Sequence, residues 1–278
     1  MAAKSENVSP TAYATGYLWY RNGMSHEALA TEQGRKVDRW FHGFIAATRA
    51  LTGVQLDTML IARHKGIDGE LARAIEAGRV GQVVEIAAGL SPRGTTFCQR
   101  YPKLTYIETD LPKMAALKRS LLDKGGLLSA RHRVQVVDAL AQRGANSLAA
   151  LAKTLDAQQG VAVITEGLMS YLDPVAAHHV WRNTAHFCKR FPHGLYLSDA
   201  YLAGDRSGAA FAAFGLMISA FVRGRLHRQF RSAEHARERL ARAGFTDVRM
   251  LQTSEIPETR ELSKLRGPDR VRVLEAST

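Results

Sequence analysis

Cysteine is scarce in this 278-residue chain: there are only Cys98 and Cys188. Neither sits in a CxxC or CxxxH arrangement, which argues against a disulfide framework, a redox pair and a zinc site. Long apolar runs are also missing. The longest, Ala209 to Val222, has 14 residues and is followed by Arg223 and Arg225, short of the roughly 18 that a membrane span requires. The start, Met1 to Pro10, is polar, with no apolar stretch after Lys4, so no secretory signal is expected and a cytoplasmic location is. Phosphate-loop patterns are lacking too. No GxxxxGK[ST] occurs, and Gly89 and Gly94 do not make a GxGxxG, which disfavours P-loop nucleotidases and weakens an NAD-type Rossmann oxidoreductase. Acidic charge is in the minority at 26 against 38 basic residues, a net +12. The basic residues are spread along the chain, apart from a concentration between Arg223 and Arg242. Few aromatics are interleaved there for base stacking, so a nucleic-acid partner is disfavoured.

Apolar residues are plentiful at 46%, enough for a sizeable core. Residues 11 to 60 place Tyr13, Tyr17, Trp19, Trp40, Phe41, Phe44, Ile45 and Leu51 at helical spacing, which predicts an N-terminal helical cap over 1–60. A helix around Gly69 to Ala77 then leads into the β-branched run Gln82 to Ala87, the first buried strand. From there strand-like and helix-like segments alternate, the pattern of a doubly wound, mostly parallel α/β sheet. The further strands are expected at Thr105 to Thr109, Arg133 to Val137, Val161 to Thr165, Leu195 to Asp199, Asp247 to Thr253 and Val271 to Leu274. Helices are expected at about 94–100, 112–123, 144–156, 174–190 and 232–243. The α/β domain would then span 61–278, with a glycine-punctuated insertion at about 200–231 suited to a lid.

Ligands of such sheets bind beyond the carboxyl ends of the strands. The turn Ala87-Ala88-Gly89 after the first strand is small enough for close backbone approach, Gly89 above all. Glu85 is an acid where a buried strand is normally apolar. It needs a partner there, and the ammonium of an amino-acid-like cofactor would provide one. Glu108 and Asp110 stand about 20 residues beyond the glycine turn, the offset at which a carboxylate meets ribose hydroxyls. Asp138 closes the third strand, where a polar group can address adenine, and Glu166 closes the fourth. An acid thus recurs at or near the same end of four successive strands.

The segments Gln82 to Gly94, Tyr106 to Pro112 and Thr165 to Leu172 resemble the leucine carboxyl methyltransferase family, class I enzymes that use S-adenosylmethionine and include bacterial O-methyltransferases of polyketide pathways. The resemblance implies that Gly89 lines the methionine moiety in a turn where Ala87 and Ser91 replace the family's usual glycine and aspartate. Asp110 or Glu108 would hold the ribose, and Asp138 with Ala139 the adenine. Glu166 would lie beside the methionine amino group and the reaction centre, and Arg63 would meet the cofactor carboxylate, with His64 and Lys65 as alternatives.

Methyl transfer from a sulfonium is an in-line displacement that calls for alignment more than acid or metal. No metal is expected. A carboxylate acceptor would need only orientation, as by Arg223 or Arg225. A hydroxyl would benefit from a base, for which Tyr171 leads, with His178, His179 and His227 also in position. The expected acceptor is a small molecule, acidic acceptors included. RNA modification and a non-catalytic cofactor-binding role are the competing readings.

Overall fold

The computed structural model describes residues 10–202, 212–213, 215–216 and 226–278. Most of the expected lid, including Gly204, Gly208, Arg223, Gly224 and Arg225, lies outside the described residues.

Seven strands form one sheet: β1 (Gln82–Ile86), β2 (Thr105–Asp110), β3 (His132–Val136), β4 (Val161–Thr165), β5 (Gly194–Ala200), β6 (Asp247–Gln252) and β7 (Arg272–Ser277). Their order is β3-β2-β1-β4-β5-β7-β6. β7 pairs antiparallel with β5 and β6, and the other pairings are parallel. Every residue of β1 and β4 is buried, as expected of strands covered on both faces.

The covering helices divide by side-chain parity along the strands. On one face Val83, Tyr106, Ala162, Ile164 and Leu197 pack against Ile67 and Leu71 of α3 (Leu56–Glu76) and Phe97 of α4 (Arg93–Arg100). On the other, Val84, Ile86, Ile107 and Val163 meet a second set of helices. These are α6 (Leu148–Leu151), α7 (Pro174–Cys188) and α8 (Ala233–Ala243), through Leu148, Trp181 and Leu240. α5 (Pro112–Lys124) covers β2 and β3 through Met114, Ala115 and Leu122.

Two helices precede this unit, α1 (Pro10–Arg21) and α2 (Glu32–Thr52). α2 begins at Thr31, whose hydroxyl accepts from the Gly34 N–H, and ends at Gly53 in the left-handed conformation, the usual chemistry of helix ends. α3 is longer than the sequence pattern suggested, running unbroken from Leu56 through the expected boundary at 60/61. Its apolar stripe is interrupted by Arg63, His64 and Asp68, which serve the site. The helix expected at 144–156 contracts to α6 and a 3-10 turn at Ala152–Thr154. There Gly144 takes a positive φ of 98° and Ser147 caps the Ala150 N–H.

Candidate cofactor site

The strand order reverses between β1 and β4, which opens a crevice at their carboxyl ends. Register decides what surrounds it. Ile86 is level with Thr109 and with Thr165, and Thr165 is level with Ser198. The next residues along, Ala87, Asp110, Glu166 and Asp199, therefore form one row at the strand ends.

Three hydrogen bonds fix the turn after β1. The Ala88 N–H donates to the Thr109 carbonyl at 3.0 Å, the Ser91 N–H to the Ala88 carbonyl at 2.9 Å, and the Gly89 N–H to Asp110 Oδ2 at 2.8 Å. Both Ala87 (φ 53°) and Gly89 (φ 49°) are left-handed. Ala87 is the one non-glycine residue with positive φ among the described residues, and it sits where the family's pattern has glycine. α1 lies directly over the turn. A Cβ on Gly89 would come within 3.2 Å of Ala12, and one on Gly16 within 2.6 Å of Leu90.

Asp110 also accepts from the Leu111 N–H at 2.8 Å. Burial raises its pKa, and the two N–H donors oppose that rise. Each carboxylate oxygen has accepted one bond and keeps a lone pair for a hydroxyl. Glu108, the other ribose candidate, is corrected. It is fully buried, with Lys118 Nζ 2.8 Å and His132 Nε2 3.4 Å away. Burial pushes its pKa up, but Lys118 and His132 hold it below the ordinary value.

Glu85 also differs from expectation. Its partners are protein groups: Arg93 Nη1 at 2.5 Å and the Tyr106 hydroxyl at 2.8 Å. With 1% of its surface exposed, it has no access to a cofactor ammonium. Arg93, which the sequence reading did not single out, is the hub of this region. It is completely buried, and its fork reaches Asp68 of α3 through Nε, Glu85 through Nη1 and Glu166 through Nη2 at 2.6 Å. Three carboxylates around one guanidinium offset the cost of burying it.

Arg63 and Glu166 are brought together, with Arg63 Nε donating to Glu166 Oε1 at 2.9 Å. Glu166 Oε2 faces His64 Nδ1 at 2.8 Å. Burial would raise the Glu166 pKa, but His64, Arg63 and Arg93 together hold it well below the carboxylate range. Asp199 is a further acid of the row that sequence reasoning missed. It lies 3.7 Å from Arg63 Nη1 and accepts the Gly167 N–H at 2.7 Å. Burial raises its pKa, and Arg63 opposes this. Gly167 has φ 69°, and the Arg63 guanidinium lies 3.4 Å from where a Cβ would stand, so glycine admits it. The signal for Asp199 was available in the run Leu195 to Asp199, another acid at the end of a strand.

Tyr171 is in the 3-10 turn Met169–Tyr171. Its phenol is pushed up by burial and hydrogen-bonds Thr11 of α1, while its ring joins Ala14, Phe41 and Phe44. Asp138 is exposed and accepts the Leu140 N–H at 2.9 Å. The Ala139 carbonyl accepts from Asn183 at 2.8 Å, which fixes the loop after β3. Beside that loop is an open groove of about 390 Å3, lined by Leu140, Gln142, Asp173, Val175, Ala176 and His179. His178 and His179 are on α7, outside the row, and the His227 N–H donates to the Ser170 carbonyl at 2.7 Å. Among the described residues no group of three or more His, Cys, Asp or Glu is arranged to hold a metal ion, and no helix is long and apolar enough to cross a membrane.

The family model for leucine carboxyl methyltransferase matches residues 22–185, more than half the chain and all of the row except Asp199. The chain belongs to the leucine carboxyl methyltransferase family. No curated protein matches it. Solved structures share the fold. The methyltransferase SibL in its apo form has a TM-score of 0.54 at 17% identity, covering 96% of this chain and 69% of its own. The mitomycin 7-O-methyltransferase MmcR has a TM-score of 0.52 at 18% identity, covering 96% and 65%. PigF, solved with S-adenosylhomocysteine (SAH), has a TM-score of 0.50 at 18% identity over 70% of this chain, and the match spans only half the length of PigF.

The row fits the cofactor of the leucine carboxyl methyltransferase family. Gly89 leaves the turn backbone bare of a side chain, Asp110 keeps two lone pairs, and Glu166 is held ionised at the switch point.

Proposed function

We propose that the protein is an S-adenosylmethionine-dependent O-methyltransferase acting on a small-molecule carboxylate or hydroxyl. The observation that carries this reading is the row formed by Ala87, Asp110, Glu166 and Asp199 at the switch point, within a chain whose family model covers most of it. The O-methyl assignment is supported by MmcR, named a 7-O-methyltransferase, as a likeness of fold.

In this reading Ala87 and Gly89 border the methionine portion, Asp110 takes the ribose hydroxyls, and Asp138 with Ala139 meets the adenine. Arg63 and Glu166 are paired to one another, so each has an opposite charge beside it before any ligand arrives. A methionine carboxylate would share Arg63 with Glu166 and Asp199, and the amino group would share Glu166 with Arg63, Arg93 and His64. The bound cofactor supplies an electrophilic methyl group. The protein's own part is to align the acceptor and exclude water. In the same reading Tyr171, packed under α1, orients the acceptor. Its raised pKa suits a hydrogen-bond donor at neutral pH.

The test is calorimetry with S-adenosylmethionine, followed by mass spectrometry of a metabolite extract incubated with the protein and methyl-labelled cofactor. Micromolar binding and a labelled small-molecule ester or ether are expected. No binding at millimolar cofactor would overturn the reading, and label on RNA would replace the acceptor class.

A further inference from the structure

Behind the turn lies a second ionic cluster, separate from the Arg93 network. Lys118 of α5 is 1% exposed, Glu108 of β2 is fully buried and His132 of β3 is 1% exposed. Gly94 at the start of α4 makes room for it, since a Cβ there would fall 2.2 Å from Glu108 Oε1. A buried lysine is costly unless its charge is used. The Lys118 ammonium has two contacts, Glu108 Oε2 at 2.8 Å and the Ala88 carbonyl at 3.4 Å. Ala88 is the middle of the turn, between the left-handed Ala87 and Gly89. Its N–H is tied to β2 through Thr109 and its carbonyl accepts from the Ser91 N–H within the turn, so Lys118 supplies the tether that anchors that carbonyl to a neighbouring helix. A left-handed alanine costs of order 1 kcal/mol and persists only where its surroundings over-determine it. The three tethers at Ala88, from Thr109, Ser91 and Lys118, with Asp110 on the Gly89 N–H, provide that.

We infer that Lys118, held in place by Glu108, is a positioning residue that clamps the Ala87-Ala88-Gly89 turn in its ligand-ready shape. The inference rests on the cofactor reading above for its ligand. Its mechanical part concerns the free protein. Lys118 also places a positive charge on the same side as Asp110, where it opposes the effect of burial on that carboxyl. Glu85 acts against Asp110 in the opposite sense. One buried cation thereby serves both sides of the cofactor turn.

The test compares the full-length protein with the double variant Lys118→Met, Glu108→Gln. This removes both charges, so neither is left buried alone, and a Glu108→Gln single variant controls for loss of the acid. Amide hydrogen exchange is followed over residues 85–92 in the free protein, together with the thermal midpoint and the affinity for S-adenosylhomocysteine by calorimetry. The expected result is exchange at least tenfold faster in that segment and an affinity at least tenfold weaker in the double variant, with the midpoint within a few degrees of the parent. Unchanged exchange in the segment would overturn the inference whatever the ligand does. So would faster exchange throughout the protein, since that reports general loosening. If the parent itself fails to bind S-adenosylhomocysteine, the cofactor reading falls, and the exchange comparison still decides whether Lys118 clamps the turn.

Discussion

The Arg93 guanidinium donates to Glu166 at 2.6 Å while donating to Glu85 at 2.5 Å, joining the helix after β1 to the ends of two strands that flank the switch point. Because all three branches of the fork are used, charge alone cannot replace it. Arg93→Lys is expected to cost about 3–5 kcal/mol, close to the cost of Arg93→Met, since a lysine reaches one of the three carboxylates and, if it pairs with Glu166, leaves the buried Glu85 with the Tyr106 hydroxyl and no cation. Urea unfolding of both variants checks this, and an Arg93→Lys protein as stable as the parent would refute it.

Glu166 gives the protein an acid-sensitive component with a defined sign. Its folded pKa lies well below the ordinary value, so its contribution is full above the unfolded glutamate value of about 4.3 and is lost as pH falls through the folded pKa. Glu108 has the same sign. Asp110 and Asp199, with raised pKa values, have the opposite one and detract from stability once pH rises past the unfolded aspartate value of about 3.9. Glu166→Gln should therefore destabilise the protein by about 3–5 kcal/mol at pH 7, and the difference should shrink as pH drops below about 4. Thermal midpoints of parent and variant between pH 3 and 7 test this, and a constant gap would contradict it.

Gly89 combines a positive φ of 49° with close contact to α1. Gly89→Ala should lose about 1–2 kcal/mol of stability and weaken S-adenosylmethionine binding at least fivefold, because its methyl group pushes against Ala12. Thermal denaturation and calorimetry on one sample separate the two effects.

Ala87→Gly should run against the usual trend. Replacing alanine by glycine in ordinary structure costs roughly 0.5–1 kcal/mol, but at φ 53° the substitution relieves strain. The variant is expected to match the parent or exceed it by up to about 1 kcal/mol. A loss above 1 kcal/mol in chemical denaturation would show that the turn is not strained.

The alternation of strands and helices was legible because β1 and β4 are buried on both faces and so are rich in β-branched residues, and Val161–Thr165 coincides with its expectation. Asp110 and Glu166 were legible for a related reason, since residues at strand ends are set by register, whereas Asp199 of the same row was passed over. What failed was depth. Glu108 and Asp110 share a side-chain direction, yet two residues along a strand are about 6.6 Å apart, and that distance separates an acid bonded to the turn after β1 from one sealed under α5. Glu85 was recognised as an acid in need of a partner, but its partner, Arg93, comes from eight residues later in the chain through the turn of α4. Sequence order gives no sign of such pairings. The Arg93 and Lys118 clusters exist only once the helices have packed.

Trp19 of α1 stacks on His64, with ring centroids 4.5 Å apart and an interplanar angle of 29°, and the same imidazole touches Glu166. The indole is 2% exposed, so its emission reports a dry environment one ring away from the ion pairs of the row. A displacement of α1, or a rearrangement of charge around Glu166, would alter that emission directly. With Trp40 and Trp181 replaced by phenylalanine, the chain would carry a built-in optical gauge of its crevice.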